Sequence, residues 1–179
     1  MISYPEYKYI SLHAEIPTDA LSWRNDARIF QWCRQNTLID EFQQNMWFHQ
    51  QSDDPAIKMF GIYSKQEPVG VCGFTSIDML NRSAEFSLYI APDRQRKGYG
   101  KRALQTLIRH GFEDFGFNRI WGETFDGNPA LRTFIDLGMT CEGTHRQTYF
   151  KKGKFINSFI VSILAEEFKV RKAPELDIV

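Results

Sequence analysis

Six residues, Gln95-Arg96-Lys97-Gly98-Tyr99-Gly100, follow the strand-like run Phe86 to Ile90 and precede a strongly amphipathic stretch. A glycine-rich turn feeding a helix N-terminus is an anion site, because the first helical amides have no internal partner and the summed peptide dipoles leave that end partly positive. Glycine also keeps any Cβ out of the ligand's way. Arg94, Arg96, Lys97, Lys101 and Arg102 crowd the same turn. Cations at a helix N-terminus oppose the macrodipole and cost stability unless an anion sits among them. These features point to a phosphate-bearing ligand over Gln95 to Arg102, against the plainer alternative of a solvated basic loop.

Acid–base chemistry has fewer candidates. On the strand before the turn, alternation puts Glu85, Ser87 and Tyr89 on one face and Ala84, Phe86, Leu88 and Ile90 on the other. Glu85 is the first candidate for a general base, acting through water; its structural alternative is a strand carboxylate exposed to solvent or held in a salt bridge. Glu123, which shares a face with Trp121 and Phe125, is the second candidate, or else a half-buried hydrogen-bond partner. Tyr149 is a possible acid, with packing in a strand as its alternative. His49 and His145 show no partner in the sequence and read as structural or surface residues.

The elements that must position these groups follow from periodicity. Tyr7 to Leu12 reads as a first strand, Pro17 opens a helical stretch broken near Asp26, and Glu41 to Gln51 reads as a helix. Ile57 to Tyr63, Val69 to Ile77 and Arg82 to Ile90 read as an antiparallel meander with turns at Lys65 to Pro68 and Met79 to Asn81. A long helix from about Tyr99 to Phe115 carries Ala103, Leu104, Leu107, Ile108, Phe112 and Phe115 on one stripe. Arg119 to Phe125 is a strand, Asn128 to Leu137 a short helix stopped by Gly138, and two strands flank Lys152-Gly153. The expectation is one α/β (α+β) domain over residues 1–170, with a mostly antiparallel sheet of about seven strands flanked by helices, and a tail at 171–179.

At 179 residues with 15% aromatic content and zero formal net charge, the chain is long enough for one core and is neither a nucleic-acid-type polycation nor a disordered segment. Cys33, Cys72 and Cys141 are odd in number and far apart, which argues against a disulfide framework and a zinc site. No run approaches the roughly 20 apolar residues of a membrane span, and the first residues lack a signal-peptide pattern. The expected setting is the cytoplasm, without membrane, nucleic acid or metal.

Gln95-x-x-Gly98-x-Gly100, after a strand and before a helix, resembles the acetyl-coenzyme A pyrophosphate loop of the GNAT superfamily of N-acetyltransferases, and the element order resembles that superfamily over nearly the whole chain. Trp23-Arg24-Asn25, Ala84-Glu85, Leu137-Gly138-Met139, Glu142-Gly143-x-x-Arg146 and Leu164-x-x-Glu167-Phe168 are most similar to its RimJ/RimL-type branch. The resemblance implies acetyl-coenzyme A as co-substrate, held by Leu88, Tyr89, Ile90, Gln95, Arg96, Lys97, Gly98, Tyr99, Gly100, Lys101, Arg102 and Asn128. It implies direct transfer to a small-molecule or peptide amine, with Glu85, Glu123 and Tyr149 as catalytic candidates. The early helices, with Trp23, Trp32, Trp47 and Phe48, are where the superfamily builds its acceptor pocket, the alternative being core packing, the usual role of aromatic side chains at helical spacing. Trp23, Arg24, Asn25 and Ser87 are the acceptor candidates, Arg24 and Asn25 alternatively serving as an interhelical bond or helix end.

Two positions depart from the family. Gly127 stands where many members carry a pantetheine-binding Asn, with Asn128 one residue on, and Phe134 stands where many carry a Tyr that protonates the departing thiolate. The missing Tyr keeps open a non-catalytic acyl-coenzyme A sensor. Gly98-x-Gly100-x-x-Ala103 with Glu123 also meets the loose dinucleotide pattern, so a nicotinamide-dependent oxidoreductase is the formal rival, although the charged stretch Pro92 to Lys97 separates strand from glycines. Assembly is expected to be monomeric or homodimeric.

Overall fold

The computed structural model describes residues 1–2 and 10–172. Its order is β1 (Ser11–His13), α1 (Ala20–Asn25), α2 (Ala27–Phe30), α3 (Glu41–Asp53), β2 (Lys58–Ser64), β3 (Glu67–Asp78), β4 (Ser83–Ile90), α4 (Tyr99–Glu113), β5 (Arg119–Phe125), α5 (Ala130–Asp136), β6 (Thr140–Lys151), β7 (Lys154–Leu164) and α6 (Ala165–Lys172). The seven strands form one sheet in the order β1-β2-β3-β4-β5-β7-β6. Every pairing is antiparallel except β4 with β5.

Local chemistry explains most boundaries. Lys65 and Gln66 both take positive φ (50° and 70°), the primed turn that suits a tight hairpin between β2 and β3. Asp26 breaks the first helical stretch as expected, its side chain accepting from the Arg28 amide to cap α2. α4 lays Ala103, Leu104, Leu107 and Ile108 against the sheet, where they join Phe60, Ile62, Phe74, Ala84, Ile120, Val161 and Ile163 in one core. Gly111 of α4 has no room for a side chain, since a Cβ there would lie 2.7 Å from Ile120 and from Phe74. The opposite sheet face carries a smaller cluster of Ala20, Met59 and Val71, against which Trp47 and Tyr89 pack.

The expected first strand, Tyr7 to Leu12, lies outside the described residues over 7–9, and its described part joins the strand Ser11–His13. α3 forms where the spacing of Phe42, Met46 and Trp47 predicts it, yet Phe42 is 73% and Met46 44% exposed. Helical spacing located the helix but not the face that it buries. α6 was not anticipated: the Glu167 side chain accepts from the Leu164 amide at its start, and the Phe168 ring lies 5.3 Å from that of Phe112. No described helix is long and apolar enough to cross a membrane.

Candidate active site

The parallel pair β4–β5 is registered only over Ser83↔Arg119, Ala84↔Ile120 and Glu85↔Trp121. From Phe86 onward the two strands diverge, so the side of β4 that faces β5 carries main-chain groups without a strand partner. Phe86 sits at the point of divergence with its ring across Gly122, where a Cβ would come within 2.4 Å of the ring, and meets Phe134 edge-on at 5.1 Å. An open cavity of about 820 Å³ runs along this gap and is lined by β4, β5, the α4 entry, α5 and the early helices.

At one end of the cavity lies the turn before α4. Gly98 is the N-cap of α4 in the left-handed conformation (φ 79°), with no side chain capping the helix and no acidic residue in its first turn. The first α-helical bond runs from the Arg102 amide to the Gly98 carbonyl, which leaves the amides of Tyr99, Gly100 and Lys101 without intrahelical acceptors. Gln95 stitches the turn to the strand by donating to the Ile90 carbonyl (3.2 Å). Arg94 is paired with Glu67 (2.7 Å) and Lys97 donates to the Asp93 carbonyl, while Arg96, Lys101 and Arg102 make no ion pair among the described residues. An uncapped, cation-flanked helix start is what a diphosphate requires.

At the other end, Arg34 joins two nearly buried carboxylates. Its guanidinium meets Glu85 and lies 3.2 Å from Glu123, whose side chains are only 8% and 9% exposed. Glu85 also accepts from Thr75 (3.3 Å), and Glu123 accepts from Tyr149 (2.8 Å) and Ser158 with His145 at 3.5 Å. Burial works against the charge on Glu123, but the hydrogen bonds from Ser158 and Tyr149 and the Arg34 charge outweigh it and hold its carboxyl below the usual glutamate range. Burial, reinforced by the bond to Glu123, pushes the Tyr149 hydroxyl up to about 12.

Several sequence-predicted residues gather on this cavity: Glu85, Glu123, Ser87, Leu88, Tyr89, Ile90, Gln95, Arg96, Gly98, Tyr99, Gly100, Lys101, Asn128 and Arg24 all line it. Others do not. Lys97 and Arg102 lie off its wall, and Trp23 is also absent from it, while Trp32 and Trp47 are present. Asn25 takes the structural alternative, holding the loop after α2 through two hydrogen bonds with the Ile39 main chain (2.7 and 3.0 Å). Tyr149 reaches the site through Glu123 and is not itself on the wall. Asn128 accepts from the Ala130 amide at the start of α5. The Ala91 amide, just past the end of β4, donates to the Val69 carbonyl (2.9 Å).

Sequence reasoning missed Arg34, Gln35 and Thr124. Arg34 and Gln35 lie in an aperiodic polar loop, and nothing local marks them. Thr124 is 5% exposed and its hydroxyl has no hydrogen-bond partner, although it lines the cavity on β5. Among the described residues no cluster of three His, Cys, Asp or Glu side chains is placed to hold a metal. The nicotinamide alternative fails on topology, because that fold needs a parallel sheet running directly into the glycines and here an antiparallel meander and a 3₁₀ turn at Pro92–Arg94 intervene.

A model of the acetyltransferase (GNAT) family matches residues 18–139. An uncharacterized N-acetyltransferase of Bacillus licheniformis, p20, is 32% identical over 112 residues, 61% of this chain and 63% of its own length. The ribosomal-protein-serine acetyltransferase of Escherichia coli K12 is 37% identical over 109 residues, 60% of this chain and 59% of its own. The matched part therefore spans about three fifths of the length of these curated relatives. A crystal structure of spermidine N-acetyltransferase from Vibrio cholerae, in complex with CoA and spermine, superposes with a TM-score of 0.85 at 20% identity, covering 90% of this chain and 98% of that one. At that identity the likeness is one of fold.

Proposed function

The chain belongs to the acetyltransferase (GNAT) family, and from that premise we propose that it transfers an acetyl group from acetyl-coenzyme A directly to a primary amine. The observation that carries this reading is a single cavity leading from the uncapped N-terminus of α4, along the opening between β4 and β5, to the Glu85–Arg34–Glu123 cluster. One end suits a diphosphate and the other suits proton transfer. Acetyl-coenzyme A would supply the activated acyl carbon. The 37% identity to a ribosomal-protein acetyltransferase and the Trp23-Arg24-Asn25 and Leu137-Gly138-Met139 segments support placement in the RimJ/RimL-like branch.

In this reading the amides of Tyr99, Gly100 and Lys101, with Arg96 and Lys101, grip the diphosphate. Unpaired main-chain amides of β4 beyond Phe86 polarise the thioester carbonyl. Glu85 accepts the proton that the amine loses as its C–N bond forms. A lysine-like amine has a reference pKa of about 10.4, so such help is needed at neutral pH. Arg34 assists by making a second positive charge unfavourable beside it. Glu123, tied up by Tyr149 and Ser158, holds Arg34 in place.

As the C–S bond breaks, the departing thiolate needs a donor. Phe134 has no proton to give, and the buried Thr124 hydroxyl, free of any protein partner on the same wall, is the group we assign to hydrogen-bond the sulfur.

A thiol-release assay over a panel of primary amines, combined with calorimetry for coenzyme A and NADH, tests the reading. The expected result is coenzyme A binding, no NADH binding, and thiol release with at least one amine. Coenzyme A binding without turnover on any amine would overturn it in favour of a sensor.

A further inference from the structure

The acceptor end of the cavity holds a buried side-chain donor without an acceptor beside a guanidinium that makes no ion pair among the described residues, and we propose that its substrate is an amine carrying an anionic group, a carboxylate or a phosphate, close to the nitrogen that is acetylated. This rests on the acetyl-transfer reading and narrows it.

The charges decide the matter. Glu85 and Glu123 are the carboxylates on this wall, and Arg34 is shared between them. Their remaining capacity is largely spent: Thr75 and Ser76 approach Glu85, and Tyr149, Ser158 and His145 approach Glu123. A carboxylate offers about four lone-pair sites, so little is left for a polycationic ligand.

Against these two negative groups stand Arg24 and Arg34 on the wall, with Lys151 bound to Gln35 off it. Arg24 donates through Nε (3.2 Å) and Nη2 (2.9 Å) to the Gln35 side-chain oxygen and stands 5.9 Å from the Tyr89 ring centroid, with no carboxylate partner among the described residues. A guanidinium has five N–H donors, and this one commits two. Lys151 donates to the Gln35 main-chain carbonyl and lies over the Phe30 (5.2 Å) and Phe125 (5.8 Å) rings. Arg24 and Lys151 are close enough that both charges act on the Cys33 thiol, which burial otherwise pushes up.

Gln35 supplies the second observation. Both of its oxygens accept from these cations, yet its side-chain nitrogen is buried with no acceptor. A buried, unpaired donor beside an uncountered guanidinium awaits an oxygen from outside the protein. Gln35 directly follows Arg34, which is anchored on Glu85 and Glu123. The anion and the reacting amine would thus lie about one or two residue lengths apart, a span one small molecule bridges. Arg28, also on the wall, is already committed to Asp26 (2.8 Å) and Asp93 (2.9 Å).

The test uses the full chain with acetyl-coenzyme A and two matched series. The first is 3-aminopropanoate, 3-aminopropyl phosphate, 3-aminopropanamide and 1,3-diaminopropane; the second is glucosamine and glucosamine 6-phosphate. In at least one series an anionic member should exceed its neutral and cationic partners at least tenfold in kcat/KM, the carboxylate and phosphate arms identifying the anion. Arg24→Gln should collapse that ratio, and Gln35→Glu, which installs an internal anion while keeping an oxygen for Arg24, should reverse it. Thermal melts establish that both variants fold. Turnover of the neutral amide or diamine at or above the anionic rate, or a preference that survives Arg24→Gln, overturns this inference alone. Coenzyme A binding with no turnover in either series or any other amine overturns acetyl transfer and this inference with it.

Discussion

The Phe86 ring lies across the bare Cα of Gly122, one residue beyond the last β4–β5 pair, where an added Cβ would sit 2.4 Å from Cε1 and 2.6 Å from Cζ. The ring packs on the core face over the glycine at the point where the β4–β5 ladder ends.

Gly122→Ala should destabilise the fold by about 1–3 kcal/mol, the usual cost of overpacking, and should depress turnover as the ring shifts into the gap. Urea unfolding and steady-state rates measure both. Adding Phe86→Leu should recover part of the stability in a double-mutant cycle; strictly additive effects would show that the two residues are uncoupled.

Gly100→Ala separates ligand from fold. A Cβ there meets only Ile90 Cγ1 at 3.5 Å, an ordinary contact, and alanine suits a helix better than glycine. The melting temperature should hold or rise, while coenzyme A affinity falls at least tenfold. Calorimetry with unchanged affinity would remove the diphosphate from this turn. Gly98 is a poorer probe, because its φ of 79° strains any other residue whether or not a ligand is present.

Glu85→Gln and Glu123→Gln should differ. If Glu85 takes the proton, its amide variant loses turnover most at low pH and recovers as pH rises toward the amine pKa of about 10, with coenzyme A affinity intact. A wild-type pH profile would exclude Glu85. Glu123 has a folded-state pKa below its unfolded value, so it stabilises the protein above the ordinary glutamate range and that contribution disappears as pH falls through the folded value. Wild type should therefore lose stability below about pH 4.5 more steeply than Glu123→Gln, a difference that acid denaturation curves resolve.

Thr124→Val removes a buried hydroxyl that has no protein partner. Stability should rise, by up to about 1–3 kcal/mol, since an unpaired buried polar group is costly. Turnover should fall while coenzyme A affinity stays, and Thr124→Ser should retain activity. Higher stability with unchanged kcat would mean that the hydroxyl is idle in catalysis.

The glycine turn and the helix that it feeds were legible in the sequence because their physics is local. Gly98 and Gly100, the strand before them and the stripe of Leu104, Leu107 and Ile108 after them lie within some 25 residues, and helix and strand periods report on such neighbours directly. The β4–β5 parting was less so, since nothing in the order of residues says that Phe86 meets Gly122. Glu85 and Glu123 were recognisable as candidates, but whether each was exposed, paired or ionised depended on residues far away. α6 went unseen because its anchor, Phe112, belongs to another helix.

Sequence alone determined the fold class, the antiparallel meander, the long amphipathic helix and the glycine turn at its start, all products of short-range pattern and backbone geometry. Tertiary structure alone decided that Arg34 reaches Glu85 across 51 positions, that Tyr149 reaches Glu123 across 26, and that Gln35 and Arg24 share one wall with Arg34, Glu85 and Glu123. Loop residues have no period to announce their partners, and a charge takes its meaning from whichever opposite charge the folded chain brings beside it.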